Sequence, residues 1–426
     1  LKDGDIVEID IQDNKRDSKV ITDNIQKVDG PSKKIDLFSF LSKKEFSLPF
    51  KFPDSVHKEL STMKEKRKNS SYEDLTHIPF LTIDPIDAKD KDDAIYAVFK
   101  DNNHEEDVFC EIWIAISDVS SHVLAGSSID QEALRRGNST YFVDSVIPML
   151  PNKISNDLCS LKENKVRNSI TLKIELASSG RKITHKFIKS KISVKHNCSY
   201  EEVESIQKKS KFHKSSNSEK EQLFENLFKA NSLLTKSMPK SMALNIPEQK
   251  FKISNSGDVT DLFTDKPMKS QKIVENFMIV ANVCVAETLS ESSLPVIYRV
   301  HENPTTESLS KLLKKTSILG IRDYKKRNIK PQDLNQILDL AKANQLYDIT
   351  SLLVLQSMSQ AYYTTREIGH FGLNLRKYVH FTSPIRRYAD LQTHRLLYLH
   401  LGWSTEDSYR MNTKYSELVC QHASAM

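Results

Sequence analysis

The sequence predicts an α+β or mixed α/β fold, with strands in the first part of the chain and helices in the second. Three observations lead to this prediction. Apolar and polar residues alternate in several segments before residue 264, which is the spacing of half-buried strands. Apolar residues recur every three or four positions after residue 273, which is the spacing of one helix face. Strands followed by helices favour layered packing of the two kinds of element.

The first 54 residues are predicted to form a small β-rich piece. Residues 5–12 alternate apolar and polar side chains, and a looser second strand spans residues 20–28 before the turn at 29–31. Two strands alone are unstable in water, so we expect this piece to be the last part of a small barrel or to pack on the rest of the chain. The polar, lysine-rich residues 55–74 are expected to form a helix or a linker.

Further strands are predicted after residue 96, together with one hairpin. The predicted strands are residues 97–99, 108–116, 170–176 and 183–194. Residues 250–253 and 258–263 flank a short segment with Asn255 and Gly257, which is typical of a β-hairpin. The basic, turn-rich residues 208–220 are predicted to form an exposed, mobile loop.

The second part of the chain is predicted to be helical. The predicted helices are residues 274–289, 309–319, 332–341, 349–363 and 385–400. The most apolar stretch, residues 277–289, is short and is interrupted by Asn282 and Glu287. Because a membrane span needs about 20 apolar residues, we expect no transmembrane helix and no membrane partner.

Composition limits the class of protein. The chain has 426 residues, of which 38% are hydrophobic and 28% charged, so it can bury a large core and is too apolar for a disordered chain. The net charge of +6 permits a polyanionic partner without requiring one. Five widely spaced cysteines favour a reducing, cytoplasmic compartment over a disulfide framework. The chain begins at Leu1 without a signal peptide, and we expect it to be a fragment of a longer protein.

An acidic cluster carries the strongest chemical signal. Five carboxylates fall within the ten positions from Asp84 to Asp93, directly after an apolar run. Such crowding is repulsive unless a cation lies among the charges. Mg²⁺ prefers oxygen ligands, and a loop that folds back on itself here could hold two ions. An EF-hand is excluded, since the required glycine and closing glutamate are missing. The alternative is a solvated acidic loop.

A basic, aromatic segment near residue 385 carries the second signal. Ser383 and Pro384 predict a helix start, which would place Arg386 and Arg387 in the first turn as an anion site. The aromatic side chains that could stack on bases are Tyr378, His380, Phe381 and Tyr388. The alternative is that the rings are ordinary core residues and the arginines pair with Asp390 and other acids. A carboxylate metal site and an arginine site together indicate phosphodiester cleavage by two metal ions.

Several long motifs resemble those of the RNase II/RNase R (RNB) exoribonuclease family, and they occur in the family's order. They are residues 82–94, 136–151, 155–161, 370–373 and 380–391. The resemblance runs from about residue 80 to the last residue, and residues 386–390 are more similar to RNase R than to RNase II. It implies a processive 3′→5′ exoribonuclease that hydrolyses RNA to nucleoside 5′-monophosphates with two Mg²⁺ ions.

The resemblance also implies roles for individual residues. Four aspartates would bind Mg²⁺, namely Asp84, Asp90, Asp92 and Asp93, whereas Asp87 lies outside the family's set. Asp92 and Arg386 are the predicted catalytic residues, with Arg386 near the scissile phosphate. Tyr141 would stack on the 3′-terminal base. The predicted RNA-binding residues without a defined role are Tyr378, His380 and Arg387. His301 is only a candidate for the family's second aromatic clamp, and local packing is the alternative.

The resemblance divides the chain into two domains. Residues 1–54 would be the C-terminal part of a cold-shock (OB-type) barrel, and residues 55–426 an RNB catalytic domain without its C-terminal end and S1 domain. The implied partner is single-stranded RNA with a free 3′ end, bound by a monomeric protein. Three alternatives remain: an inactive RNA-binding relative, a DNA-directed nuclease and a structural scaffold.

Overall fold

The computed structural model of the protein describes most of the chain. The described residues are 7–12, 21–27, 34–63, 72–100, 107–143, 145–212, 218–244, 248–254, 258–265, 268–321, 329–404 and 412–425. The chain divides into two compact units. The smaller unit draws on residues 1–51, 140–147 and 248–265, and the larger unit on residues 52–139, 148–247 and 266–426.

Strands and helices alternate less regularly than in a parallel α/β fold. The strands are β1 (Val7–Gln12), β2 (Ile21–Lys27), β3 (Glu73–Asp74), β4 (Phe80–Asp84), β5 (Asp93–Phe99), β6 (Cys110–Ser117), β7 (Thr140–Tyr141), β8 (Val146–Ile147), β9 (Val166–Leu176), β10 (Lys182–Ser199), β11 (Glu248–Ile253), β12 (Val259–Asp265), β13 (Tyr298–Val300) and β14 (Tyr362–Thr364). The helices are α1 (Lys34–Glu45), α2 (Asp54–Thr62), α3 (Ser128–Arg136), α4 (Tyr200–Phe212), α5 (Glu219–Ser237), α6 (Lys269–Ser290), α7 (Thr306–Ile318), α8 (Pro331–Ala343), α9 (Tyr347–Ser357), α10 (Tyr388–His400) and α11 (Thr413–Ala425). The predicted mixed α and β class is confirmed.

The main sheet of the larger unit closes on itself. Its strand order is β3-β10-β4-β5-β6-β9, and β10 also pairs with β9. This double pairing is possible because β10 is long: residues 182–193 pair antiparallel with β9, and residues 194–199 pair parallel with β4. Strands β4, β5, β6, β9 and β10 therefore form a closed barrel.

Helix α6 packs in the core of the larger unit. Ile112, Ile114 and Ile116 lie on one face of β6, and they share a buried cluster with Phe277 and Val285 of α6. By length and composition α6 could cross a membrane, but 56% of its most apolar window is buried inside the protein. This burial is the pattern of a core helix.

The smaller unit is built mainly from two-stranded pieces. Strands β1 and β2 pair antiparallel, as do β7 with β8 and β11 with β12. Lys43 of α1 donates a hydrogen bond to Ser145 Oγ over 2.9 Å, and its ammonium lies 5.0 Å from the ring centre of Phe142. The assignment of residues 1–54 to a cold-shock domain and of residues 55–426 to a catalytic domain stays a prediction.

The strand predictions agree with the structure in type and place. The predicted strands at 97–99, 108–116, 170–176 and 183–194 fall within or overlap β5, β6, β9 and β10. The predicted hairpin is the antiparallel pair β11–β12, although its turn at 255–257 lies outside the described residues. The β-branched and apolar residues of these segments carry the signal, since β6 is covered on both faces and seven of its eight residues are buried.

The loop predicted at residues 208–220 is wrong at both ends. Residues 208–212 continue α4, and residues 219–220 begin α5; residues 213–217 lie outside the described residues. Ser218 caps α5, since its side chain accepts a hydrogen bond from the Glu221 amide. The polar residues that indicated a loop therefore include a helix cap with Glu219 in its first turn.

The helix predicted at 349–363 is too long. Helix α9 ends at Ser357, and residues 362–364 form β14, which pairs antiparallel with β13. Tyr362, Tyr363 and Thr364 are residue types that favour strands, and the partner strand lies about 60 residues earlier in the chain. Sequence spacing alone did not reveal that partner.

Candidate active site

Four aspartates lie at one end of the barrel. Asp84 is the last residue of β4 and Asp93 is the first residue of β5, so the connection between the two strands carries Asp90 and Asp92. Strands β4 and β5 are antiparallel neighbours. Because a connection between such strands stays at one end of the sheet, the local chain path keeps these carboxylates together. Asp87, which the resemblance placed outside the set, is exposed.

The aspartates are poorly solvated. Asp92 is only 5% exposed, and its Oδ1 accepts a hydrogen bond from the Ile385 amide over 2.9 Å. Asp84 Oδ2 is buried without a hydrogen bond and lies 3.5 Å from Nζ of Lys91. Lys91 supplies one positive charge to Asp84, and the remaining buried negative charge of the segment is unfavourable unless a further cation balances it.

Burial changes the acidity of all four carboxyl groups. It raises the pKa of Asp84 and Asp90, and it raises the pKa of Asp92 well above its usual range. Burial together with the nearby charge of Asp84 raises the pKa of Asp93 to about 7. A divalent cation with a preference for oxygen ligands would offset this excess of buried negative charge, so the four aspartates fit Mg²⁺.

The aspartate oxygens do not form a tight cluster. Among the residues that the structure describes, only His185, Cys284 and Glu287 bring three potential ligand atoms within 4.8 Å of one another. At that position the Lys182 ammonium forms an ion pair with Glu287, so this lysine already neutralises the carboxylate that a metal ion would need.

The segment 383–387, here called the arginine loop, is not helical. Helix α10 begins at Tyr388, and the amides of Arg386 and Arg387 both donate to the Ser383 carbonyl oxygen, over 3.3 and 3.0 Å. The predicted helix start at Ser383 and Pro384 is therefore wrong, and the arginines do not lie in a first helical turn.

Long-range pairing explains the shape of the arginine loop. Arg387 forms an antiparallel bridge with Asn138. The Ser139 amide donates to the Arg386 carbonyl oxygen over 2.9 Å, and the Tyr388 amide donates to the Gly137 carbonyl oxygen over 2.8 Å. Residues 384–386 form a turn, and these bonds hold Arg387 in an extended conformation, so the helix begins only at Tyr388. Tertiary contacts thus override the local helix signal.

The two arginines have different surroundings. Arg386 has a side chain that is 45% exposed, with Nε 4.0 Å from Asp92 Oδ2 and Nη2 donating to Ser383 Oγ over 3.1 Å. Arg387 instead donates to both carboxylate oxygens of the buried Asp390, over 2.9 and 2.7 Å. Burial opposes the charge of Arg387, but the Asp390 carboxylate outweighs this effect and raises its pKa. The alternative that the arginines pair with Asp390 and other acids holds for Arg387, which pairs with Asp390, whereas Arg386 lies 4.0 Å from a different acid, Asp92.

Tyr378 and His380 lie in the interior. The Tyr378 hydroxyl accepts a hydrogen bond from Asn282 Nδ2 over 3.0 Å, and its ring packs edge-on against His380 at 5.6 Å. His380 Nδ1 is hydrogen-bonded to the Tyr363 hydroxyl over 2.7 Å. Burial, followed by the charge of Arg387, lowers the pKa of His380 well below its usual range. These rings pack against other rings, and their role in RNA binding stays a prediction.

The two candidate base clamps differ in exposure. Tyr141 lies on β7 of the smaller unit and is 55% exposed, as a ring that stacks on a base needs to be; this role stays a prediction. His301 is buried, and its Nδ1 accepts a hydrogen bond from the Gly372 amide over 3.1 Å. A side chain at Gly372 would approach Nδ1 to 2.9 Å, so the chain passes closely over this ring. The geometry favours local packing for His301.

Tyr200 belongs to the same end of the barrel, although no motif or spacing in the sequence singled it out. It begins α4 directly after Ser199, which pairs with Asp84 across β10 and β4. Burial raises the pKa of Tyr200, and the charges of Asp93 and Asp84 add to this effect. The phenol therefore stays protonated and can donate a hydrogen bond. Only the parallel pairing of β4 and β10, more than 100 residues apart in the chain, reveals this position.

Comparisons with known proteins agree on one family. The profile of the RNB domain matches residues 72–402. Ribonuclease R of Thermotoga maritima is 35% identical over 405 residues, which are 93% of this chain and 56% of that protein. Two structures of Mycoplasma genitalium RNase R, each 26% identical, superpose well. The complex with ribose methylated single-stranded RNA has a TM-score of 0.86 and covers 94% of this chain and 63% of the other. The complex with double-stranded RNA has a TM-score of 0.88 and covers 98% and 74%. The chain thus spans about half the length of the curated relatives it matches.

Proposed function

The chain belongs to the RNB domain family, and from this premise we propose that it is a 3′→5′ exoribonuclease that hydrolyses single-stranded RNA to nucleoside 5′-monophosphates. One observation carries the proposal: four poorly solvated aspartates share one end of the barrel with the Arg386 guanidinium. The names of the relatives support the same activity, since proteins called ribonuclease R match over most of this chain.

The aspartates would hold the metal. Asp84, Asp90, Asp92 and Asp93 would bind Mg²⁺, which when bound supplies an activated water and stabilises the leaving oxygen, in the two-ion arrangement that we propose. The Ile385 amide fixes the orientation of the Asp92 carboxylate through its bond to Oδ1. The Lys91 ammonium, 3.5 Å from Asp84, partly balances the negative charge of the aspartates.

Arg386 would act on the phosphate. Its half-exposed guanidinium lies beside Asp92 and is steadied by Ser383 Oγ, so it can donate hydrogen bonds to phosphoryl oxygens. Negative charge builds on these oxygens during displacement, and a fixed donor stabilises that charge more than it stabilises the bound substrate. The protonated hydroxyl of Tyr200 is a further donor at this end of the barrel.

A digestion assay tests the proposal. RNA labelled at its 5′ end is incubated with the protein in Mg²⁺ or in EDTA, and products are resolved by length. We expect stepwise shortening from the 3′ end in Mg²⁺, release of nucleoside 5′-monophosphates, and no shortening in EDTA. Blocking the 3′ end should stop the reaction, whereas internal cuts would contradict the exonuclease assignment.

The same assay distinguishes the alternatives. Binding of RNA without shortening under any metal condition would favour the inactive RNA-binding relative. Equal shortening of a DNA strand of the same sequence would favour a nuclease that does not recognise the 2′-hydroxyl. The monomeric state and the cytoplasmic location stay predictions, and light scattering of the purified chain would test the first.

A further inference from the structure

Asp390 ties together the two ends of the arginine loop. It lies in the first turn of α10 with no exposed surface. Its Oδ1 accepts a hydrogen bond from the Ser383 amide over 2.8 Å and another from Nη2 of Arg387 over 2.7 Å, and its Oδ2 accepts one from Nε of Arg387 over 2.9 Å. One buried carboxylate thus holds the first and the last residue of the loop. Charge-assisted bonds of this kind are short and directional.

The two groups that face the aspartates lie between these anchors. The Ile385 amide donates to Asp92 Oδ1, and the Arg386 guanidinium lies 4.0 Å from Asp92 Oδ2. Neither group touches Asp390 itself in these bonds. Their positions depend on the shape of the loop, and the loop is only five residues long.

A second set of bonds holds the other side of the loop. The pairing of Arg386, Arg387 and Tyr388 with residues 137–139 fixes the backbone at the end of the loop. It does not involve the Ser383 amide, which Asp390 holds. Asp390 therefore holds the start of the loop at Ser383, two residues before Ile385, whose amide bonds to Asp92.

We propose that Asp390 is a positioning residue, which acts through the arginine loop to aim Arg386 and the Ile385 amide at Asp92. The inference rests on the proposed nuclease activity and deepens it. The competing account is that Asp390 only neutralises the buried charge of Arg387 and contributes to stability. The two accounts differ in what they expect from the reaction rate of the folded protein.

The test compares single-turnover cleavage of labelled RNA by the wild-type chain and by Asp390→Asn. The amide keeps an oxygen for the Ser383 amide but cannot accept both bonds of the Arg387 guanidinium, so the loop loses its paired anchor at Arg387. We expect the maximal rate to fall by roughly 10²-fold, the effect of a misplacement of about 1 Å, with little change in the half-saturating RNA concentration. In an Arg386→Ala background the same substitution should lower the rate by a smaller factor than it does in the wild type, because one of the two aimed groups is already missing.

A matched control separates position from stability. Asp333 is also buried, and its Oδ2 accepts a hydrogen bond from the Lys330 amide over 2.9 Å at the start of α8, a helix whose buried residues form a different cluster from those of α10. Asp333→Asn should lower the melting temperature and leave the rate per folded molecule unchanged. If Asp390→Asn behaves in the same way, Asp390 is a stability residue and the inference is overturned.

A second variant covers the case in which Asp390→Asn does not fold. Asp390→Glu keeps the charge of Arg387 paired but lengthens the side chain by one methylene, so it shifts the anchor without removing it. We expect a folded protein with a reduced maximal rate, and a wild-type rate would overturn the inference. Cleavage by the wild-type chain in the same experiment tests the proposed function separately, since its absence would refute that function and not the role of Asp390.

Discussion

The aspartate segment and the arginine loop face each other at the barrel end, but they are held in place in different ways. Residues 84–93 connect two neighbouring antiparallel strands, so local chain path and sheet register position the carboxylates. The arginine loop is held by bonds to distant parts of the chain; Ile385 and Asp92, for example, are 293 positions apart. The proposed metal side of the site is therefore encoded locally, whereas the proposed phosphate side depends on the folded core.

The two adjacent arginines show the same difference on a smaller scale. Arg386 is half exposed and faces the aspartates, whereas Arg387 is paired with a buried carboxylate behind the loop. Of these two neighbouring arginines, we expect Arg386 to act on the substrate and Arg387 to stabilise the loop. Substitutions in the two regions should accordingly separate effects on rate from effects on stability.

The largest effect should come from the aspartate segment. Asp92→Asn removes a ligand charge while it keeps an oxygen for the Ile385 amide, so cleavage should fall by more than about 10³-fold, beyond the loss expected for one hydrogen-bond donor. RNA affinity should stay nearly unchanged. Single-turnover cleavage and fluorescence anisotropy measure the two quantities.

Asp87→Asn is the matched control, because Asp87 is an exposed carboxylate in the same segment. It should leave the cleavage rate within about twofold of wild type, as expected for a surface change. An Asp92→Asn protein that retains most of its activity would show that Asp92 does not bind the metal, and the aspartate segment would then lose its proposed chemical role.

The second effect comes from the arginine loop. Arg386→Ala should lower the single-turnover rate by roughly 10²–10³-fold with little change in melting temperature, and lysine should restore only part of the rate because it lacks the planar fork. Arg387→Ala should instead lower the free energy of unfolding by about 3–5 kcal/mol, since it leaves Asp390 buried and unpaired.

Melting curves and cleavage rates on both variants decide this prediction. A large drop in melting temperature for Arg386→Ala, with near-normal cleavage by the folded protein, would exchange the roles of the two arginines. Arg386 would then be the residue that stabilises the loop, and Arg387 the one that acts on the substrate.

The third effect concerns Tyr141, on the exposed face of a strand in the smaller unit. Stacking contributes about 1–3 kcal/mol per base, so Tyr141→Ala should weaken the hold on the 3′ end and change the length of the final product. Tyr141→Phe, which keeps the ring, is the control. If the alanine variant leaves the final product unchanged, Tyr141 does not contact the RNA, and only the aspartate segment and the arginine loop remain as proposed contacts.

The smallest effect concerns stability at acid pH. Burial, followed by the charges of His301 and Arg299, lowers the pKa of His370 to about 4, below the unfolded value of about 6.5. The unfolded chain therefore binds the proton first, and this contribution to stability is complete above pH 6.5 and is lost as the pH falls towards 4. The loss should be at most about 3 kcal/mol, since one pKa unit corresponds to about 1.4 kcal/mol.

Melting temperatures of the wild type and of His370→Gln between pH 7 and pH 4 measure this contribution. The variant should lose less stability than the wild type over that range, because glutamine does not titrate. Parallel curves for the two proteins would show that His370 does not stay neutral in the fold. The result sharpens the comparison by measuring a purely structural effect away from the aspartates.

The sequence predicted the parts of the molecule that depend on local patterns. The strands β5, β6 and β9 follow from their β-branched and apolar residues, and the grouping of Asp84 to Asp93 follows from spacing. The start of α10 was predicted wrongly because residues 137–139 hold Arg387 in an extended conformation. Tyr200 was missed because its place beside Asp84 depends on a parallel pairing that no local pattern reveals. The sequence therefore indicated the candidate site residues more clearly than the distant residues whose contacts position them.

The double pairing of β10 has a consequence for the order of folding. Its pairing with β9 is a hairpin with partners as close as six positions, whereas its pairing with β4 joins residues more than 110 positions apart. Contacts that close a long chain segment form late, and they are the first candidates for local opening. The seam between β4 and β10 ends at Asp84 and Ser199, directly before Tyr200. Amide hydrogen exchange along this seam would therefore measure how often these two strands separate. Because the seam ends at Asp84, the same measurement would show whether the proposed metal-binding end of the barrel opens with it.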